Sequence, residues 1–366
     1  MITIVLAGVI ALLGTLIGTR LAISVLVSKG YGQLIRDDGP TSHHVKRGTP
    51  TMGGIVIVLA VLVAYAAAHL ITWTPPRASG VLLLFLTAGL GLVGFLDDWI
   101  KISKQRSLGL RSGAKLTGQV AIGLAFAILS FQFPNERSGP GFYESLGGIT
   151  PASPALSFLR DIPFLVMPIG VAVLWILLLI AAASNGMNLT DGVDGLAAGA
   201  SVMVFGAYSL VNIWQYNQSC ANVGVAGPTC YEVRDPHDLA VVAVAIAGAC
   251  FGFLWWNCQP AKIFMGDTGS LALGGAMAAM AIYTRTELLL LLIGGLFVIN
   301  TLSVILQVSY FRLTGGKRLF PMAPLHHTFE LKGWAESTVV IRFWIIAGIF
   351  VAVGLALFYA EWVSGL

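Results

Sequence analysis

The chain has 366 residues, of which 57% are hydrophobic and only 10% charged, with a mean hydropathy of +0.84. A soluble domain is nearer one quarter charged, so these values exclude one and describe an integral membrane protein. The apolar runs have helical length and lack strand-period alternation, which excludes a β-barrel; a net charge of +4 without a basic tract interleaved with aromatics offers no nucleic-acid surface.

Windows of about 20 apolar residues predict ten membrane helices, over 3–27, 54–72, 80–100, 114–133, 163–184, 194–214, 239–257, 269–284, 287–311 and 338–362. The first lacks a positive n-region and is followed by Lys29, so it reads as a transmembrane helix rather than a signal peptide. The eighth is short and rich in Gly and Ala, and only Tyr283 to Glu287 separates it from the ninth. No separate soluble domain and no internal repeat is evident, so residues 1–366 are read as one all-α transmembrane catalytic domain.

Ten spans put both termini on one side. With the termini outside, 14 of the 21 Lys and Arg residues lie on inward segments. Five (Arg77, Arg137, Arg160, Arg234 and Arg285) lie outward, and Arg20 and Arg342 fall within spans. That bias predicts inward segments in the cytoplasm.

Only 17 residues are acidic, yet five aspartates sit at the inward ends of apolar runs: Asp97, Asp98, Asp191, Asp194 and Asp267. Carboxylates there are costly unless they meet water, a cation or a partner. Several converging on one space would repel one another unless a metal or a base neutralises them. Oxygen ligands of this kind suit Mg²⁺, which also binds phosphate oxygens.

In chain order, SHHVKRGTPTMGG enters the second span. Lys46 and Arg47 could neutralise phosphate or serve as flanking charge, whereas the following TPTMGG, which contains Thr51, is not explained by flanking. The third span holds GLGLVG, a literal GxGxxG without the strand that gives that motif meaning; its glycines read as helix-packing residues. The span ends in GFLDDWIK, where Asp97 and Lys101 form an i,i+4 pair that leaves Asp98 to a cation or a substrate proton. SNGMNLTDGVDG reads as a small polar link between the fifth and sixth spans, offering Asn188, Asp191 and Asp194 to sugar hydroxyls, metal or a base. FMGDTGS opens the eighth span and places Asp267 at the membrane edge as a metal ligand or a helix cap. PLHHTFE, in the last inward loop, carries His326, His327 and Glu330, which could bind metal, contact phosphate or shuttle protons. On the outward side, Cys220 and Cys230 share one loop, where a disulfide can persist.

Together, GPTSHHVKRGTPTMGG, GFLDDWIK, NGMNLTDGVDG, WNCQPAKIFMGDTGS and FPMAPLHHTFE resemble the bacterial phospho-N-acetylmuramoyl-pentapeptide transferases, a branch of the polyprenyl-phosphate N-acetylhexosamine-1-phosphate transferases. The five stretches run in family order from residue 39 to 330. The resemblance implies a ten-helix homodimeric enzyme of the bacterial plasma membrane, with its active site facing the cytoplasm. It would transfer phospho-MurNAc-pentapeptide from UDP-MurNAc-pentapeptide to undecaprenyl phosphate, giving lipid I and UMP. By the same resemblance Asp267 is the Mg²⁺ ligand, and Asp97 and Asp98 are the paired catalytic aspartates. Lys46, Thr51, Asn188, Asp191, Asp194 and Asn257 serve the substrate, and His326 and His327 form the catalytic histidine motif. Where relatives usually carry a third histidine, this chain has Thr328, which can hydrogen-bond but not carry charge.

The implied reaction leaves two routes open: direct attack by the lipid phosphate with Asp97 or Asp98 as base, or a covalent aspartyl intermediate. The alternatives are a relative that transfers GlcNAc-1-phosphate and, from another class, a cation-coupled transporter. A transporter usually places its charged sites near the midplane, whereas these carboxylates gather on one side.

Overall fold

The computed structural model describes residues 1–29, 48–104, 109–135, 148–221 and 229–364. Its helices are α1 (Ile2–Ser28), α2 (Gly54–Thr72), α3 (Ala78–Ser103), α4 (Ser112–Ser130), α5 (Ile169–Thr190), α6 (Leu196–Asn217), α7 (Pro236–Asn257), α8 (Gly266–Tyr283), α9 (Leu290–Ile293), α10 (Gly295–Leu313), α11 (Leu325–Leu331) and α12 (Glu336–Ser364). Nine of them, all but α8, α9 and α11, are long and apolar enough to cross a membrane.

Side chains are distributed as expected of a protein surrounded by lipid. On α1, Val5, Val9, Leu13, Ile17 and Leu21 form an exposed aliphatic stripe, while Ala7, Ala11, Thr15 and Thr19 are buried. Small residues inside let helices approach closely; large aliphatics outside match hydrocarbon. The extreme case is α8, in which every residue from Thr268 to Tyr283 is buried. It packs mainly against α3 and α5. A helix enclosed by other helices need not be strongly apolar, which explains why the eighth expected span is the weakest in the sequence. Gly94 shows how close the packing is: a Cβ there would lie 2.2 Å from the carbonyl oxygen of Asp267.

Three boundaries differ from the sequence-based expectation. The fifth span begins at Ile169, not 163, because β1 (Ala155–Ser157) and β2 (Asp161–Val166) form an antiparallel hairpin before it. Pro163 and Pro168 restrict the residues before them to extended backbone, which suits a strand. The expected ninth span is broken at Gly294 into α9 and α10, a usual cause of a sharp kink. The polar link after the fifth span is mostly helix, since α5 continues to Thr190 and only Asp191–Gly195 separates it from α6.

Candidate active site

The described parts of the α1–α2 and α3–α4 connections meet those of α5–α6, α7–α8 and α10–α12 at one end of the bundle. Backbone pairing fixes the first of these contacts. Phe264 N–H donates to Pro50 O (2.8 Å), Gly53 N–H to Phe264 O (2.9 Å) and Gly54 N–H to Met265 O (2.8 Å). TPTMGG is thus a backbone clasp on the start of α8, and the buried Thr51 lies at the Gly266 turn. Gly266 has φ +74°, and a Cβ there would lie 2.6 Å from Asp98 Oδ2 and 3.0 Å from Thr51 Oγ1. Glycine is required on both counts.

Asp97, Asp98 and Asp267 offer carboxylate oxygens within 4.8 Å of one another. Asp98 accepts from Asp267 N–H (3.2 Å), Thr268 N–H (3.0 Å) and Thr268 Oγ1 (2.8 Å), so it anchors the first turn of α8 to α3. Asp97 Oδ1 accepts Leu110 N–H at 2.7 Å, which ties the residues just before α4 to α3, while Oδ2 lies 2.5 Å from Lys101 Nζ. Asp267 is the meeting point. Its Oδ2 accepts from Lys101 Nζ and Lys115 Nζ, each at 2.9 Å, and its Oδ1 accepts from Asn188 Nδ2 at 2.6 Å. Asn188 also donates to Ser270 Oγ at 2.8 Å.

Asp191, just past α5, is half-buried. Burial holds its carboxyl well above the usual carboxylate range, and the neighbouring charges of Asp267, Asp98 and Asp194 push the same way. The three clustered carboxylates therefore face two ammonium groups, a balance that leaves net negative charge. That surplus and the all-oxygen donor set fit a hard divalent cation such as Mg²⁺, which Asp267 would hold. The two lysines suit phosphate oxygens.

The other expected residues take varied places. Asp194 and Asn257 are buried and directed at backbone: Asp194 Oδ2 accepts Ala261 N–H at 3.0 Å, and Asn257 Nδ2 donates to Ile263 O at 2.9 Å. They shape the α7–α8 connection rather than join the carboxylate cluster. Lys46 lies outside the described residues. His326 and His327 stand on a short helix, α11, not in a loop. A Cβ on Gly192 would lie 2.8 Å from His326 Nε2 and 3.0 Å from His327 Nε2, so both rings abut the turn that carries Asp191. His327 Nδ1 is 2.6 Å from Glu330 Oε2. Thr328 turns inward to its own loop and donates to Met322 O at 2.5 Å.

Sequence reasoning missed Lys115. It was one of many inward cations, and only the fold brings the first turns of α4 and α8 together.

Residues 81–285 match the family pattern described as glycosyl transferase family 4, and residues 46–58 match signature 1 of the phospho-N-acetylmuramoyl-pentapeptide-transferases. A protein of Cutibacterium acnes named phospho-N-acetylmuramoyl-pentapeptide-transferase is 63% identical over 362 residues, covering 99% of each chain. Proteins of the same name from Paenarthrobacter aurescens (61% over 376 residues) and Streptomyces griseus (61% over 363 residues) also cover 99% of this chain and of their own length. Identity of this extent, with the signature in place and the aspartate stretches assembled at one end of the bundle, shows that the chain belongs to the phospho-N-acetylmuramoyl-pentapeptide-transferases.

Proposed function

We propose that the protein transfers phospho-MurNAc-pentapeptide from UDP-MurNAc-pentapeptide to undecaprenyl phosphate, forming lipid I and UMP. The observation that carries this reading is the cluster of three carboxylates and two lysines at the start of α8. It pairs groups for a cation with groups for phosphate, and family membership supplies the substrates.

In the reaction, an oxygen of the lipid phosphate attacks the sugar-side phosphorus, and the bond from that phosphorus to the bridging oxygen breaks. UMP leaves with the electron pair. Mg²⁺, when bound, supplies neutralisation of the pyrophosphate charge. Lys101 and Lys115 hold Asp267 and face the phosphates, so developing negative charge meets fixed positive groups. Asn188 fixes the other oxygen of Asp267. Asp98, with three donors on its oxygens, keeps the start of α8 in place. Asp97 takes the proton of the lipid phosphate. His326 and His327, resting on the Gly192 turn, contact the nucleotide-linked phosphates.

The bonded pair Cys220–Cys230 supports a cytoplasmic site. It lies at the opposite end of the bundle, and disulfides persist in oxidising compartments. This agrees with the positive-inside count, which uses different residues. The test is transfer of radiolabel from UDP-MurNAc-pentapeptide to undecaprenyl phosphate by purified protein, with and without Mg²⁺. Lipid I and UMP in equal amounts, lost on chelation, are expected. Transfer from UDP-GlcNAc instead would overturn the substrate assignment.

A further inference from the structure

Glu336, the first residue of α12, joins two connections that the catalytic reading treats separately. Its Oε1 accepts the N–H of Asp194, at 3.0 Å, in the α5–α6 turn. Its Oε2 accepts from Gln259 Nε2, at 3.2 Å, in the α7–α8 connection. The two connections are also tied to each other, because Asp194 Oδ2 accepts Ala261 N–H at 3.0 Å. The result is a closed circuit of hydrogen bonds among three segments far apart in sequence. One segment carries Asp191 and the Gly192 turn beneath His326 and His327. The other starts at Asn257 and leads into Asp267.

We propose that Glu336 is a positioning residue for the site of the UDP-linked substrate. It holds the α5–α6 and α7–α8 connections in register while touching no reacting atom. The proposal rests on the transfer reading above. A carboxylate accepting a backbone N–H makes a stronger bond than a neutral acceptor. With the Gln259 side-chain amide on its other oxygen, this one carboxylate restricts both connections together. Without them the binding-competent arrangement becomes a fraction of the population, and apparent affinity falls by that fraction. The loss falls on the nucleotide-linked substrate, because Asp191 and Asn257 stand on the two tethered segments. The lipid phosphate meets Asp97 on α3, which the circuit does not reach.

The test is steady-state transfer by wild-type protein, Glu336→Ala and Glu336→Gln, varying each substrate at saturation of the other. Glu336→Ala is expected to raise KM for UDP-MurNAc-pentapeptide about tenfold and leave KM for undecaprenyl phosphate within about twofold. Glu336→Gln is expected to stay within about threefold of wild type on both. Its amide oxygen still accepts from Asp194, and Gln259 can turn its own amide to meet the new donor. A fall in kcat with both KM values unchanged would overturn the proposal, because a purely structural defect lowers the active fraction without choosing a substrate. Equal rises in both KM values would also overturn it. If Glu336→Ala does not fold, Gln259→Leu carries the test, with a rise of about twofold to threefold in KM for the UDP-linked substrate alone. No rise there would overturn the assignment. A wild-type protein that transfers nothing would instead defeat the transfer reading.

Discussion

The two ends of the bundle use the same residue types to opposite effect. At the end bearing Cys220 and Cys230, several of the described charges are held by an opposite charge or by backbone carbonyls and amides. Arg160 donates to Glu361 Oε1 (2.5 Å), to Thr229 O (2.7 Å) and to Cys230 O, and it stacks 4.1 Å over the Tyr231 ring. Arg285 donates to Pro151 O and Thr150 O, each at 2.8 Å. Glu287 accepts from Ser157 N–H at 3.2 Å. These contacts staple the hairpin and the disulfide loop to α8, α9 and α12. At the other end, Asp97, Asp98 and Asp267 crowd together against two lysines. Folding alone does not favour three adjacent carboxylates. An end that keeps surplus charge in a mostly buried place is shaped for a ligand, whereas charges held by local partners serve stability.

The largest effects should come from breaking the surplus. Asp267→Asn is expected to lower transfer by about 10³-fold or more while the protein still folds, because it removes the group that gathers Lys101, Lys115 and Asn188. Asp97→Asn should act on turnover and leave the KM for the UDP-linked substrate nearly unchanged, as befits a proton acceptor. Asp98→Asn should be milder, since an amide oxygen can still accept from Thr268. Near-normal turnover in all three would return the cluster to a structural role. Lys115→Met should follow at about 10²-fold. A wild-type rate in that variant would mean that its contact with Asp267 is only a surface ion pair.

The histidine motif sharpens the comparison further. His326→Ala and His327→Ala are each expected to lower transfer by about tenfold to a hundredfold. Thr328→Ala should change transfer by about threefold at most, because its hydroxyl is spent on Met322 O and removes one hydrogen bond of about 0.5–1.5 kcal/mol. Steady-state assays on the three variants decide this. A larger loss in Thr328→Ala than in either histidine variant would mean that the third position still serves the chemistry.

Much of the carboxylate-bearing end was legible in the sequence, because chemistry there demands residue types that lipid contact does not. An aspartate pair after an apolar run, or a lone aspartate before one, stands out against a chain with few acids. The pattern said less about direction. Asp194 and Asn257 stand out as polar residues of the matched stretches, but only the fold shows that Asp194 accepts Ala261 N–H and that Asn257 donates to Ile263 O. Lys115 and Glu336 look like ordinary flanking charges until distant helices meet. The disulfide-bearing end was barely legible, since many contacts of Arg160, Arg285 and Glu287 go to backbone atoms that no side-chain pattern records. The kink at Gly294 was hidden for a related reason: a glycine among apolar residues reads the same whether it packs a helix or breaks one.

At the disulfide-bearing end, Glu287 gives a pH test of local pairing. Burial pushes its carboxyl up to about 7 from the ordinary 4.5, against the opposing donation of Ser157 N–H. The folded protein then keeps a proton that the unfolded chain releases between those values. The resulting stabilisation is complete below about pH 4.5 and is lost as pH rises through about 7, on the order of 3 kcal/mol. Thermal unfolding of wild-type protein and Glu287→Gln in detergent across this range should show a falling midpoint for the first and a flatter one for the second. Parallel curves would mean that Glu287 is ionised throughout.

The smallest effect should come from the disulfide. It closes a loop with a sequence separation of 10, for which loop entropy alone suggests about 3 kcal/mol. The loop ends are held without it, however. Cys220 N–H donates to Tyr231 O (3.1 Å), Tyr231 N–H donates to Gln218 O (2.9 Å), and Arg160 grips the carbonyls of Thr229 and Cys230. Tyr231 also stacks on Phe358 of α12 at 5.4 Å. With these contacts in place, a Cys220→Ser, Cys230→Ser protein should lose roughly 1 kcal/mol, well under the free-loop value. Its transfer rate should equal that of wild type, because the bond lies across the bundle from Asp267. Unfolding midpoints and transfer assays on the double variant provide the check. A clear fall in turnover with little change in unfolding would show that the two ends are coupled, and the division of labour drawn between them would fail.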